Sequence, residues 1–175
     1  MNVLEAPSLF ARVEPGLFRS TYPVETNHAF LRGLSLKTVM CLAPRIIDES
    51  LRSFCTAEGI ELHAFDVGEC SEPFQDLDCD SVLQAVSVAA KSEHRPLLIM
   101  CETGKISTGC VVAVLRLSQN WSLTAALDEF SRFTGTSGPL ICYQFIEMQM
   151  GAARSLANER GSAVSSSSSA SGRNE

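Results

Sequence analysis

PLLIMCETGKISTG, residues 96–109, decides how this chain folds. Its first half is a short apolar run with almost no polar residue, the pattern of a strand covered on both faces. The run ends at Cys101, passes through a small-residue turn containing Gly104, and leads into the apolar, helix-like segment from Cys110 to Leu117. A strand, a glycine turn and a helix N-terminus in succession offer backbone N–H groups and the positive end of a helix dipole to an anion. A cysteine at the head of such a turn has its thiolate favoured by the same groups.

Working outward, strands and helices alternate on both sides of this stretch. Upstream, Leu17 to Ser20 reads as a short strand closed by Thr21-Tyr22-Pro23, and a helix with Phe30, Leu31 and Leu34 on one face follows, capped by Thr26 or Asn27. Leu36 to Leu42 is a β-branched, apolar strand ended by Ala43-Pro44. Asp48 caps a helix through Leu51, Phe54 and Cys55 that stops at Gly59. Ile60 to Val67 alternates apolar and polar residues as a half-buried strand does, and residues 68–78 form an acidic loop. A helix beginning at Asp80 then carries Val82, Leu83, Val86 and Ala90 on one face. Downstream, helices are predicted over Thr108 to Gln119, over Leu123 to Phe133 with Ser122 as its cap, and over Leu140 to about Leu156. This order predicts a three-layer α/β fold with a short, mostly parallel central sheet flanked by helices.

Residues 1–15 are expected to be an N-terminal arm, 16–158 a single domain, and 159–175, with five consecutive serines, a disordered tail. A formal net charge of −6 and the lack of any lysine- or arginine-rich block argue against nucleic acid or an acidic membrane surface as partner. No apolar run reaches membrane-spanning length, and MNVLEAPSLF has no basic region ahead of an apolar stretch, so no secretory signal is expected. The seven cysteines lack Cys-x2-Cys spacing, and Cys41, Cys55, Cys110 and Cys142 sit in apolar segments. Reduced core thiols in a cytoplasmic protein are expected, with no metal set and no cofactor. His28, His63 and His94 are scattered outside the loop and read as surface or satisfied histidines, and Trp121 as packing.

Phosphoryl transfer through a cysteine needs a thiolate, donors for the phosphoryl oxygens and an acid for the leaving group. Cys101 supplies the first, the amides of residues 102–107 many of the second, and the Thr108 hydroxyl a hydrogen bond to the sulfur. The planar guanidinium that grips two oxygens at once belongs six residues after the cysteine, where this chain has Ser107. Losing such an arginine costs on the order of 10³ to 10⁵ in rate. Serine is too short to replace it, and Arg19 is the only candidate substitute. Otherwise Arg19 and Arg132 are expected in ion pairs with Asp128 or Glu129.

CETGKISTG resembles the Cys-x5-Arg-Ser/Thr-Gly signature of the tyrosine and dual-specificity phosphatase superfamily, with Cys101, Gly104, Thr108 and Gly109 in register. Residues 16–20 (GLFRS), 36–39 (LKTV), 72–74 (EPF), 104–105 (GK), 128–133 (DEFSRF) and 145–147 (FIE) are similar to the plant-and-fungal atypical dual-specificity phosphatases. Arg132 to Gly135, with Gly138 and Ile141, is most similar to the Oca subgroup of that Siw/Oca branch. The resemblance covers roughly residues 9–150 and implies a tyrosine phosphatase-like fold. It makes Cys101 a vestigial nucleophile and Glu102, Thr103, Gly104, Lys105, Ile106, Thr108 and Gly109 a phosphate-binding loop. Asp66, Glu69 and Glu72 lie where the acidic loop of that family supplies its leaving-group acid or orients the site, with Glu72, in the matched Glu-Pro-Phe, preferred.

The departures gather in the loop. Family members commonly read His-Cys-x-Arg-Gly-Lys-His-Arg-Thr-Gly; here Met100 and Ile106 replace the histidines, Glu102 and Thr103 fill usually basic or polar places, and Ser107 replaces the arginine. Lys105 is the loop's remaining cation. The expectation is a catalytically impaired pseudophosphatase that binds a phosphate-containing ligand or serves as a subunit among other Oca-type proteins. The resemblance also implies a link to inositol pyrophosphate handling and to the oxidant stress response. The alternatives are a weak cysteine-dependent phosphatase acting on phosphoprotein or inositol pyrophosphate, and a thiol sensor built on an exposed Cys101.

Overall fold

The computed structural model describes residues 4–42, 47–68, 70–71, 74–75, 77–135 and 138–158. Five strands form the main sheet: β1 (Ala11–Glu14), β2 (Leu17–Thr21), β3 (Thr38–Leu42), β4 (Glu61–Phe65) and, after two short strands β5 (Cys70–Ser71) and β6 (Phe74–Gln75), β7 (Leu97–Cys101). Their order is β1-β2-β7-β3-β4. All neighbours run parallel except β1, which pairs antiparallel with β2. The apolar strand of the opening stretch therefore lies in the centre of the sheet, and every residue of β7 is buried.

Alternation along β7 divides the core into two layers. Leu97, Ile99 and Cys101 join one apolar cluster with the helices α3 (Cys79–Ala89), α4 (Ile106–Ser118), α5 (Leu123–Thr134) and α6 (Leu140–Met148). Leu98 and Met100 join the other, with α1 (His28–Arg32) and α2 (Glu49–Glu58). That is the expected three-layer arrangement. Helix α4 is buried from Ser107 to Ser118, as a helix apolar on all sides must be. No helix among the described residues is long and apolar enough to cross a membrane.

Local signals place most helix ends. Asp48 accepts from Leu51 N at 2.8 Å and Ser122 from Ala125 N at 3.2 Å, while Gly59 ends α2 at φ +67°. Elsewhere the structure departs from expectation. The arm contains β1, because Pro15-Gly16 makes a turn, with Gly16 at φ +73°, that folds a short edge strand back onto β2. The acidic loop contains the pair β5 and β6. Helix α3 begins before Asp80, since Asp78 is its cap and accepts from Ser81 N at 3.0 Å. The predicted cap of α1 is not made: Asn27 instead accepts from Val24 N at 3.0 Å and donates to Glu5 O at 3.1 Å. The last predicted helix is interrupted by a turn at Gln149, and residues 150–158 are helical again. The predicted serine-rich tail, Glu69 and Glu72 lie outside the described residues.

Candidate functional site

Cys101 is the last residue of β7, level with Thr21 of β2, and is only 3% exposed. Its carbonyl accepts from Gly104 N at 3.2 Å, which starts the tight turn over the strand end. Gly104 sits at φ +66° against the end of β2, where a Cβ would lie 2.7 Å from Thr21 N and 2.8 Å from Ser20 O. Both the backbone angle and the space reserve this position for glycine. The chain then enters α4, with Gly109 N donating to Lys105 O at 2.8 Å. Gly109 is a second close approach: a Cβ there would lie 2.7 Å from Cδ2 of Phe130 on α5.

Arg19 of β2 projects into the same layer and is 1% exposed. Its Nη2 donates to Gly104 O at 2.9 Å, and its guanidinium carbon lies 3.6 Å from the centre of the Phe133 ring. Its Nε and Nη1 have no hydrogen-bond partner. Burial pushes its pKa down to about 10, with the nearby Glu129 carboxylate and the Cys101 and Cys110 thiols partly offsetting this. The expected ion pair of Arg19 with a helix carboxylate is absent among the described residues. Arg116, a residue the sequence reading passed over, takes Glu129 instead, because α4 and α5 pack side by side.

A trans peptide sets its N–H opposite its C=O. With Gly104 O held by Arg19, the following N–H of Lys105 is turned the other way and donates to Thr103 Oγ1 at 3.3 Å. Glu102, Thr103 and Lys105 are exposed, and Ile106 is half-buried against the core. Ser107 is 7% exposed in the first turn of α4. Thr108 is fully buried, and its hydroxyl has no hydrogen-bond partner, so the expected bond to the Cys101 sulfur is not formed in this state.

The exposed Cys101 on which a thiol sensor would rest is also not found, because the sulfur belongs to the core-facing end of β7. Burial pushes the Cys41 and Cys55 thiols up to about 11. Of the acid candidates, Asp66 is exposed and accepts from Gly68 N at 3.2 Å. The part Arg19 plays was foreshadowed by one signal, a single charged residue inside the apolar strand LFRST.

The loop, its central strand and the helix behind it can now be set beside known proteins. The model of a tyrosine phosphatase family matches residues 4–163. The chain is 34% identical over 142 residues to an inositol diphosphatase of Arabidopsis thaliana, covering 81% of this chain and 72% of that one. It is 35% identical over 147 residues to OCA1 of Mycosarcoma maydis, assigned to the tyrosine-protein phosphatases, covering 83% of this chain and 93% of that one. Among solved structures, it is similar to the core catalytic domain of the PP-IP phosphatase SIW14 from S. cerevisiae in complex with citrate. That match has a TM-score of 0.80 at 29% identity and covers 91% of this chain and 96% of the other.

Proposed function

This chain belongs to the tyrosine phosphatase family, in the branch that holds plant and fungal inositol diphosphatases, and from that premise we propose that it is a pseudophosphatase that keeps the loop to bind a phosphate-bearing ligand. The observation that carries this reading is Ser107: at the place where a guanidinium would clasp two phosphoryl oxygens stands a short, neutral, nearly buried side chain. Transition-state charge then lacks that clasp and has the loop amides, Lys105 and the partly engaged Arg19 to meet it. Arg19, the one arginine buried beside the loop among the described residues, spends one donor on the Gly104 carbonyl and keeps two nitrogens unpartnered.

Retained binding is supported by the glycine-dependent turn and by the unpartnered Thr108 hydroxyl at the head of α4. The preferred ligand is an inositol phosphate or pyrophosphate, by likeness to the diphosphatases of this branch. The proposed setting is the cytoplasm, as a subunit among other Oca-type phosphatase-like proteins. The roles of Cys101 as vestigial nucleophile and of Glu72 as former acid belong to the same proposal.

A second reading, weak turnover through Cys101, is favoured by one observation: Arg19 lies close enough to influence the thiol and has two unpartnered nitrogens. Assays on an aryl phosphate and an inositol pyrophosphate separate the two. The parent chain is expected to show no turnover that depends on Cys101, and Ser107→Arg to acquire it. Turnover in the parent that disappears in Cys101→Ser would establish the second reading in place of the first.

A further inference from the structure

Far from the loop, the outer edge of the sheet meets the turn that leads into β7. Glu61 and His63 are two residues apart on the edge strand β4 and so project from the same face. The helical turn Ser92–His94 sets His94 against them, its ring edge-on to that of His63 with centroids 5.5 Å apart. One carboxylate faces both imidazoles: Glu61 Oε1 is 3.0 Å from His63 Nε2, and Oε2 is 3.8 Å from His94 Nδ1. A donor atom from each of the three residues lies within 4.8 Å of the other two. The closest contact is not directed as a hydrogen bond, so His63 Nε2 is buried without a partner although an oxygen stands beside it. Behind His94, its Nε2 is 3.6 Å from Glu93 Oε1.

We propose that Glu61, His63 and His94 form a binding site for a divalent transition-metal ion, of which Zn²⁺ is the natural occupant. Two imidazole nitrogens and one carboxylate are a donor set that suits zinc and its neighbours, whereas calcium and magnesium demand oxygen throughout. A tetrahedral ion with bonds of about 2.0–2.1 Å needs its ligand atoms ~3.3 Å apart. Rotation of the Glu61 side chain, 62% exposed, and small ring movements close the present spacing to that value. Solvent on the Glu61 side supplies the fourth position. Glu93 takes the second nitrogen of His94, the outer carboxylate that fixes a ligating imidazole in orientation.

Glu61 and Leu97 are both level with Thr38 across the sheet. Cys101 is four residues further along β7, about 13 Å away along the strand at roughly 3.3 Å per residue. The ion therefore does not serve the loop's chemistry. It clips the edge strand to the segment entering the central strand.

The test is a titration of the full chain, reduced and stripped with a chelator, using Co²⁺ followed by visible absorption and Zn²⁺ followed by calorimetry. The expected result is one equivalent bound, with cobalt d–d bands and no thiolate charge-transfer band, and the same in Cys101→Ser. Glu93→Gln should weaken binding about tenfold, and His63→Gln or His94→Gln by more than that. Zinc should raise the thermal midpoint of the parent and leave that of either histidine variant unmoved. Glu61→Gln, a change at an exposed side chain, keeps the test available if the histidine variants fold poorly, and it too should weaken binding. An isotherm unaltered by these substitutions, a thiolate charge-transfer signature, or no binding by the parent would overturn the proposal.

Discussion

A buried arginine stands at each end of helix α4, and the two are housed in opposite ways. At the C-terminal end, Arg116 donates to Glu129 from Nε and Nη2 at 2.7 and 3.1 Å, to Val13 O at 2.7 Å and to Gln119 Oε1 at 3.3 Å. Its guanidinium also lies over the Trp121 ring at 4.2 Å. At the N-terminal end, Arg19 has one hydrogen bond and an aromatic ring, and two of its nitrogens are unpartnered. The saturated end is scaffold: it ties β1, α4 and α5 together. The loop end holds donors in reserve, on Arg19 and Thr108, next to the cysteine at the head of the glycine turn. Unsatisfied buried donors are costly, and of the six buried side-chain nitrogen and oxygen atoms without a partner among the described residues, three are here, on Arg19 and Thr108.

The largest effect is expected from supplying the loop end with what it lacks. Ser107→Arg should raise Cys101-dependent hydrolysis by about 10³-fold or more over the parent, measured by phosphate release. An inert variant would mean that the loop end has lost more than one side chain. The next largest should come from stripping the saturated end: Arg116→Met leaves the half-buried Glu129 carboxylate without its partner and should cost about 3 kcal/mol in chemical denaturation. A loss below about 1 kcal/mol would erase the contrast between the two ends.

Gly104→Ala should cost about 1–3 kcal/mol from its backbone angle alone, more from the contact with Thr21, and should abolish binding of inorganic phosphate, read by calorimetry. Arg19→Met should be milder for stability, about 1.5 kcal/mol or less, because the lost hydrogen bond is offset by removing an under-paired buried charge. It should nevertheless weaken phosphate binding, which sharpens the comparison: Arg116 matters to the fold, Arg19 to the ligand. The smallest effect lies away from both ends. His28 stacks on Phe54 with centroids 4.3 Å apart, and burial lowers its pKa. The unfolded chain therefore takes up the proton first as pH falls below about 6.5, and stability drops on that side. His28→Gln should flatten the acid limb of the denaturation midpoint against pH while leaving the neutral value nearly unchanged.

Much of this architecture was legible in local pattern. Asp48, Gly59 and Ser122 act through groups one to four residues away, and each ends a helix where the sequence places it. The apolar run before Cys101 indicated a strand buried on both faces, and β7 is that strand. The edge strand β1 was hidden because only Val13 of its four residues is buried, so no alternation announces it. In the site, the serine at position 107 could be read directly. The address of Arg19 could not, since nothing in LFRST specifies that its guanidinium meets a carbonyl 85 residues away.

The sequence by itself determined the order of the loop: a cysteine after a central strand, a glycine turn, a helix start, and a serine at position 107. It also determined the alternation of elements and hence the layered fold, because these depend on neighbours within a turn or a strand. Only the tertiary structure decided which distant groups meet. Arg116 reaches the Val13 carbonyl 103 residues away, and Arg19 serves the loop rather than Glu129. His63 and His94, scattered in sequence, close around Glu61. The reason is physical: helix caps and strand periods are short-range rules, whereas these encounters follow from the order in which the strands join the sheet.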